Sequence, residues 1–193
     1  MPLIIKNLTK SFGDKKVFEN FSYTFSEKGL FVLVGNSGRG KTTLLRMIAG
    51  LDKDFSGEIT KQKAAYAFQE YRLFPSLNAL ENITRILWEK PKKNEIENAK
   101  KLLESFNFTQ ADTLLFPNEL SGGMKQRVAL CRAFLSNQGV LLLDEPFKEL
   151  DADLRAKLCD LIEKESKKRL IIMTAHSLDM LSNLDHTIVS LEN

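Results

Sequence analysis

Cysteine and long apolar runs are scarce in this sequence, and each scarcity excludes something. The two cysteines, Cys131 and Cys159, stand far apart in helix-like segments without metal-ligand spacing. Neither a disulfide framework nor a thiolate metal site is available, and we expect two buried, reduced thiols. The purely apolar runs are short, as in "LFVLV" from Leu30 to Val34, far below the roughly 20 residues a helix needs to cross a bilayer. The N-terminus "MPLIIKNLTKSF" has no basic start, long apolar centre or small-residue cleavage site, so we expect an intracellular protein with no span of its own. Charge of one sign is missing too. With 28 basic and 25 acidic side chains the net charge is +3, and no strong field is left to attract nucleic acid or lipid by charge alone. A partner must be recognised by shape.

What is present is an ordinary soluble composition, 43% hydrophobic and 27% charged over 193 residues, enough for one buried core with a small appendage. Runs rich in β-branched or aromatic residues predict strands at "LIIKN", "FSYTF", "LFVLV", "AAYAF", "VLLLD", "LIIMTA" and "HTIVSL". Helical spacing recurs over Lys41 to Ala49, over Ile96, Ala99, Leu102, Leu103 and Phe106, and over Met124, Val128, Cys131 and Leu135, where Ser121 is placed to cap the helix. Strands alternating with helices predict an α/β fold with a mainly parallel sheet flanked by helices. Before Phe25 the joints "GDKK" and "EKG" read as hairpin-like turns and predict an antiparallel β patch in the N-terminal part. The stretch from about residue 75 to 135 is helix-rich and reads as an inserted helical subdomain within a single domain, 1–193. The lysine pairs at 92–93 and 167–168 read as solvated helix ends.

Gly35-Asn36-Ser37-Gly38-Arg39-Gly40-Lys41-Thr42 fits G-x-x-x-x-G-K-[ST] between a predicted strand and a predicted helix. Its glycines let backbone N–H groups turn toward an anion, and the helix start adds its positive dipole end. Lys41 is expected on the β- and γ-phosphates of a nucleotide and the Thr42 hydroxyl on Mg²⁺. A metal held this way needs a carboxylate from another strand. "VLLLDEP" puts Asp144 at the C-terminal edge of a buried strand, where ligands collect in open α/β sheets, as an Mg²⁺ partner through water. Glu145 then faces the γ-phosphate, where a carboxylate can orient and polarise an attacking water. Without the upstream loop, two acids after a strand would only open a solvated turn.

The order "GNSGRGKTT", "FQE", "LSGGMKQR", "LLLDEP", "ELD" and "TAH" resembles the nucleotide-binding subunit of ATP-binding cassette (ABC) transporters over nearly the whole chain. The resemblance implies a P-loop NTPase fold of the ABC ATPase kind, with ATP and Mg²⁺ as cofactors and Thr43 completing the phosphate loop. It implies that Phe12 stacks on adenine, where a core Phe is the competing assignment. Gln69 would touch Mg²⁺ and the attacking water, and would open a loop facing a membrane subunit. His176 would contact the γ-phosphate and hold Glu145 and the water. Ser121, Gly122 and Gly123 would close over the ATP of a second copy, with Asp151 at the dimer contact. The sequence departs from the family at Lys148 and Glu149, where a small Ser-Ala pair is usual, which puts close packing there in doubt.

The resemblance further implies transmembrane permease subunits as partners, a second ATPase subunit (a homodimer), an extracytoplasmic substrate-binding protein in the same system, and no nucleic acid. The subunit would sit peripherally on the cytoplasmic face of a prokaryotic membrane. The segment after Gln69 looks like that of importers for sulfonates, nitrate or thiamine precursors, and import is favoured over export. With the last strand close to Asn193, no C-terminal regulatory domain is expected. The alternative is a soluble cassette of the translation or DNA-repair type. Against it stand a single cassette and a short gap from Gln69 to Ser121 with no sustained heptads. A nucleotide kinase would leave "LSGGMKQR" and "LLLDEP" without a purpose.

Overall fold

The chain passes through two sheets before its first long helical stretch. In the computed structural model, residues 1–85, 91–175, 181 and 184–191 are described. The strands are β1 (Leu3–Phe12), β2 (Lys15–Phe25), β3 (Gly29–Val34), β4 (Ser56–Ile59), β5 (Ala64–Ala67), β6 (Val140–Leu143), β7 (Leu170–Thr174) and β8 (Thr187–Ser190). The helices are α1 (Lys41–Ile48), α2 (Ala79–Thr84), α3 (Lys93–Ser105), α4 (Gly122–Leu135) and α5 (Ala152–Ser166). One sheet has the order β2-β1-β4 and the other β5-β6-β7-β3-β8.

The chain divides into two compact units. The first comprises Met1–Tyr66, Gln138–Asp144 and Leu161–Asn193. Here β3 lies parallel between β7 and β8, and β6 runs parallel to β7. The strands β6 and β7 are buried along their whole length, as expected where both faces of a parallel sheet are covered. The β1–β2 and β1–β4 pairs are antiparallel. One core joins them to the parallel strands through Leu3, Ile5, Leu8, Phe25, Leu33, Leu142 and Ile172. Around Asn7, whose φ is 50°, the β1 register slips. The slip brings Leu8 and Lys10 to the buried side along with Leu3 and Ile5, because each bulge shifts the two-residue alternation by one.

The second unit comprises Ala67–Asn137 and Glu145–Asp160. Its helices α2, α3 and α4 pack together around Ile83, Leu103, Phe106, Val128 and Leu130. A capping box closes the start of α2, with Asn78 and Glu81 exchanging side-chain to backbone hydrogen bonds of 2.9 Å. Cys131 is buried, and burial pushes its thiol well above the ordinary value; Cys159 is only partly buried.

Two sequence expectations need correcting. The "EKG" turn is not a hairpin, because it carries the chain from β2 in the antiparallel sheet to β3 in the parallel one. The strand β4, "SGEI", was not expected: it has four residues, one a glycine, and no apolar alternation, and its pairing with β1 is what orders it.

Candidate functional site

The phosphate loop lies between β3 and α1 because a buried apolar strand ends at Val34 and glycine after glycine follows. Gly40, at φ 92°, is the N-cap of α1, and no side chain caps that helix start. Its first N–H groups therefore point into the loop without a side-chain acceptor. A Cβ at Gly40 would collide with Val17 and stand 2.9 Å from the Phe18 ring, so no other residue fits without moving the hairpin. Lys41 is 8% exposed and donates to the carbonyls of Gly35 at 2.5 Å and Asn36 at 3.2 Å. The ammonium thus rests inside the loop. Asn36, Ser37, Gly38 and Arg39 are exposed at its crest, and Thr43 is half-buried in the first turn of α1.

Asp144 follows β6 and is 2% exposed. Its Oδ1 accepts from Thr42 at 3.1 Å and from Thr174 at 2.8 Å, and its Oδ2 accepts from the Tyr66 hydroxyl at 3.2 Å. Three hydroxyls from three elements therefore hold one buried carboxylate, which compensates the loss of its water. The Thr42 hydroxyl and Asp144 carboxylate are two hard oxygen donors at hydrogen-bond distance from each other, a set that suits Mg²⁺ with its remaining ligands drawn from phosphate and water. Sequence reasoning missed Tyr66 and Thr174. The only available signal was their position at or near strand ends.

Phe12, at the end of β1, is 54% exposed, which rules out the core-Phe alternative. It pairs in register with Lys15 across the hairpin, and Lys10 Nζ lies 4.7 Å from its ring centroid.

In the second unit, Glu145 opens the segment after Asp144 with φ at 52°, the left-handed region that non-glycine residues rarely enter and that clusters at functional sites. Its Oε2 accepts from Gln69 Nε2 at 3.1 Å, so the structure brings these two expected residues together. Ser121 caps α4: its Oγ accepts from Met124 N at 3.2 Å. Ser121 and Gly122 are exposed, and the first turn of α4 carries no acidic residue. Against this turn stands Glu149, at φ 58°. A Cβ at Gly122 would be 2.7 Å from Glu149 Oε2, and one at Gly123 would be 3.2 Å from the Glu149 carbonyl. The Tyr71 hydroxyl donates to the same Oε2 at 2.7 Å. Burial, then the hydrogen bond and charge of Glu149, push the Tyr71 phenol up to about 12. Asp151 accepts from Leu154 N at 2.9 Å and so caps α5. Arg127 donates to the carbonyls of Gly123 and Phe106, and Gln126 to that of Pro146. Those two tie α4 down and were not singled out by sequence. His176 lies outside the described residues.

The ABC transporter family profile matches residues 18–148. The chain belongs to the ABC transporter family. This cassette is 42% identical over 200 residues to an aliphatic sulfonates import ATP-binding protein of Bacillus cereus, covering 96% of this chain and 78% of the relative. It is 38% identical over 177 residues to a sulfate/thiosulfate import ATP-binding protein of Pectobacterium atrosepticum, covering 82% of this chain and 53% of the relative. Among solved structures it resembles the dimeric bacterial ABC transporter cassette MJ0796, with a TM-score of 0.81 and 26% identity over 98% of this chain and 94% of that one. A dimeric post-hydrolysis form of MJ0796 bound to ADP and Pi matches with a TM-score of 0.78 and 27% identity, over 92% of this chain and 89% of that one. Among the described residues no helix of the cassette is long and apolar enough to cross a membrane.

Proposed function

We propose that this cassette is the ATP-hydrolysing subunit of an importer, dimerising around ATP and driving translocation through separate membrane subunits. The observation that carries it is the Lys41, Thr42 and Asp144 cluster at the glycine loop, where a buried lysine, a hydroxyl and a carboxylate share one small region. Lys41 would leave its loop carbonyls for the β- and γ-phosphates, and Phe12 would stack on the base. Thr42 and Asp144, the latter through water, would hold Mg²⁺, with Gln69 completing the set. The ion would neutralise charge on the β- and γ-oxygens when bound. The Glu145 carboxylate would orient a water and take its proton, and Gln69 Nε2 would fix that carboxylate's rotamer. His176 is proposed to touch the γ-phosphate.

The serine-capped start of α4, with Gly122 and Gly123, would receive the γ-phosphate held by a second copy, since bare N–H groups at a helix start favour an anion. Asp151 would lie at the same dimer contact. The permease subunits would meet the loop after Gln69, where Phe74 is exposed. The names of the two relatives support a sulfonate or sulfate-like oxyanion as cargo, delivered by an extracytoplasmic binding protein, with the cassette peripheral on the cytoplasmic face. The test is nucleotide binding and turnover of the Lys41→Ala variant beside the unaltered chain. A loss of about tenfold or more in ATP affinity is expected from removing one charge-assisted contact; unchanged affinity would remove the phosphate-loop assignment.

A further inference from the structure

Lys10 is out of place for a lysine. It is 3% exposed, although lysine is almost never fully buried without a partner. Two aspartates compensate for the burial. Lys10 Nζ donates to Asp52 Oδ1 at 3.2 Å, to Asp54 Oδ2 at 3.1 Å and to the Asp54 carbonyl at 2.5 Å, and it lies 3.1 Å from Asp52 Oδ2. Burial draws the ammonium's pKa down, but the hydrogen bonds and charges of Asp54 and Asp52 raise it further, above the ordinary lysine value. The group is therefore a fixed positive charge. Its Nζ also lies over the Phe12 ring, 4.7 Å from the centroid. Phe12 is otherwise 54% exposed and is followed by Gly13, which has no side chain to pack on the ring.

We propose that Lys10 is a positioning residue for nucleobase recognition: it clamps one face of Phe12, leaving the other as a one-sided stacking platform for the base. This rests on the assignment of Phe12 to the nucleotide. A phenyl ring offers only its π face, and a cation beneath it is attracted to that face. The clamp fixes the ring before the base arrives, which spares the ordering that a free exposed side chain would undergo on binding. The anchor through Asp52 and Asp54 makes the platform part of the segment that follows α1, so the base would be held in a fixed position relative to the phosphate loop that begins α1.

The test is Lys10→Met, which keeps the length and apolar stem but removes the charge, measured with ATP and with inorganic tripolyphosphate, which carries phosphates and no base. The KM for ATP is expected to rise about three- to tenfold, the usual size of a partly desolvated cation–π contact, with kcat held and tripolyphosphate affinity unchanged. Lys10→Arg, whose guanidinium also stacks on aromatic rings, is expected to restore most of the loss. In a Phe12→Ala background the Lys10→Met change should add nothing, the signature of a coupled pair. If ATP and tripolyphosphate affinities fall together, or if ATP affinity is unmoved, the lysine only staples the hairpin to the 52–54 segment and the proposal is wrong. Should Lys10→Met fail to fold, Asp54→Asn loosens the same clamp from an exposed position, and its smaller loss must likewise vanish without Phe12. Absence of ATP binding by the unaltered chain would instead overturn the ATPase assignment itself.

Discussion

Asp144 and Glu145 are chain neighbours in opposite circumstances. Asp144 is buried and held by Thr42, Thr174 and Tyr66, so it is fixed before any ligand arrives. Glu145 sits in a left-handed backbone conformation with Gln69 on its carboxylate, a strained geometry suited to aiming a base. Glu145→Gln is therefore expected to keep ATP affinity while hydrolysis falls by about a hundred- to ten-thousand-fold, the usual contribution of a general base; a steady-state phosphate-release assay beside a binding isotherm checks it. Asp144→Ala removes the carboxylate that accepts from Thr42, Thr174 and Tyr66 and should lower unfolding free energy by about 1–3 kcal/mol, read from urea denaturation without nucleotide. The sequence made Lys41, Thr42, Asp144 and Glu145 legible because each occupies a fixed place in a motif with strand-loop-helix context. Tyr66 and Thr174 were not legible, since residues far apart in the chain meet Asp144 only through the strand order β5-β6-β7.

The start of α4 is where local sequence and tertiary contact diverge. Ser121 was readable as a cap from its place before the apolar helical repeat, and Ser121→Ala should destabilise the protein by about 1 kcal/mol, measurable as a lowered denaturation midpoint. Nothing in "FKELD" revealed that Glu149 would turn back over Gly122 with Tyr71 as its tether. If a second copy's phosphate is received at this turn, as proposed, that carboxylate would repel it. Glu149→Ala, made in the Glu145→Gln background, is expected to lower the ATP concentration needed for half-maximal dimerisation by roughly fivefold, the effect of about 1 kcal/mol from one like charge in water. A rise in that concentration would mean that Glu149 supports the contact instead. The strands show the same division. The apolar runs of β3, β6 and β7 announced themselves, whereas β4 exists only because β1 offers it a partner.

For the molecule as a whole, we propose ATP as the ligand that joins two copies, each supplying a lysine loop to one nucleotide and a serine-glycine turn to the other, a reading that the dimeric cassettes it resembles support. A ligand that binds the joined state better than the separate one shifts the population between them, and hydrolysis reverses the shift. The measurement that bears on this is the molar mass of the Glu145→Gln chain, by light scattering or sedimentation, with and without ATP and Mg²⁺. The mass is expected to double with ATP and return to that of one chain with ADP. A protein that binds ATP fully yet stays at the mass of one chain at high concentration would contradict a nucleotide shared between two copies.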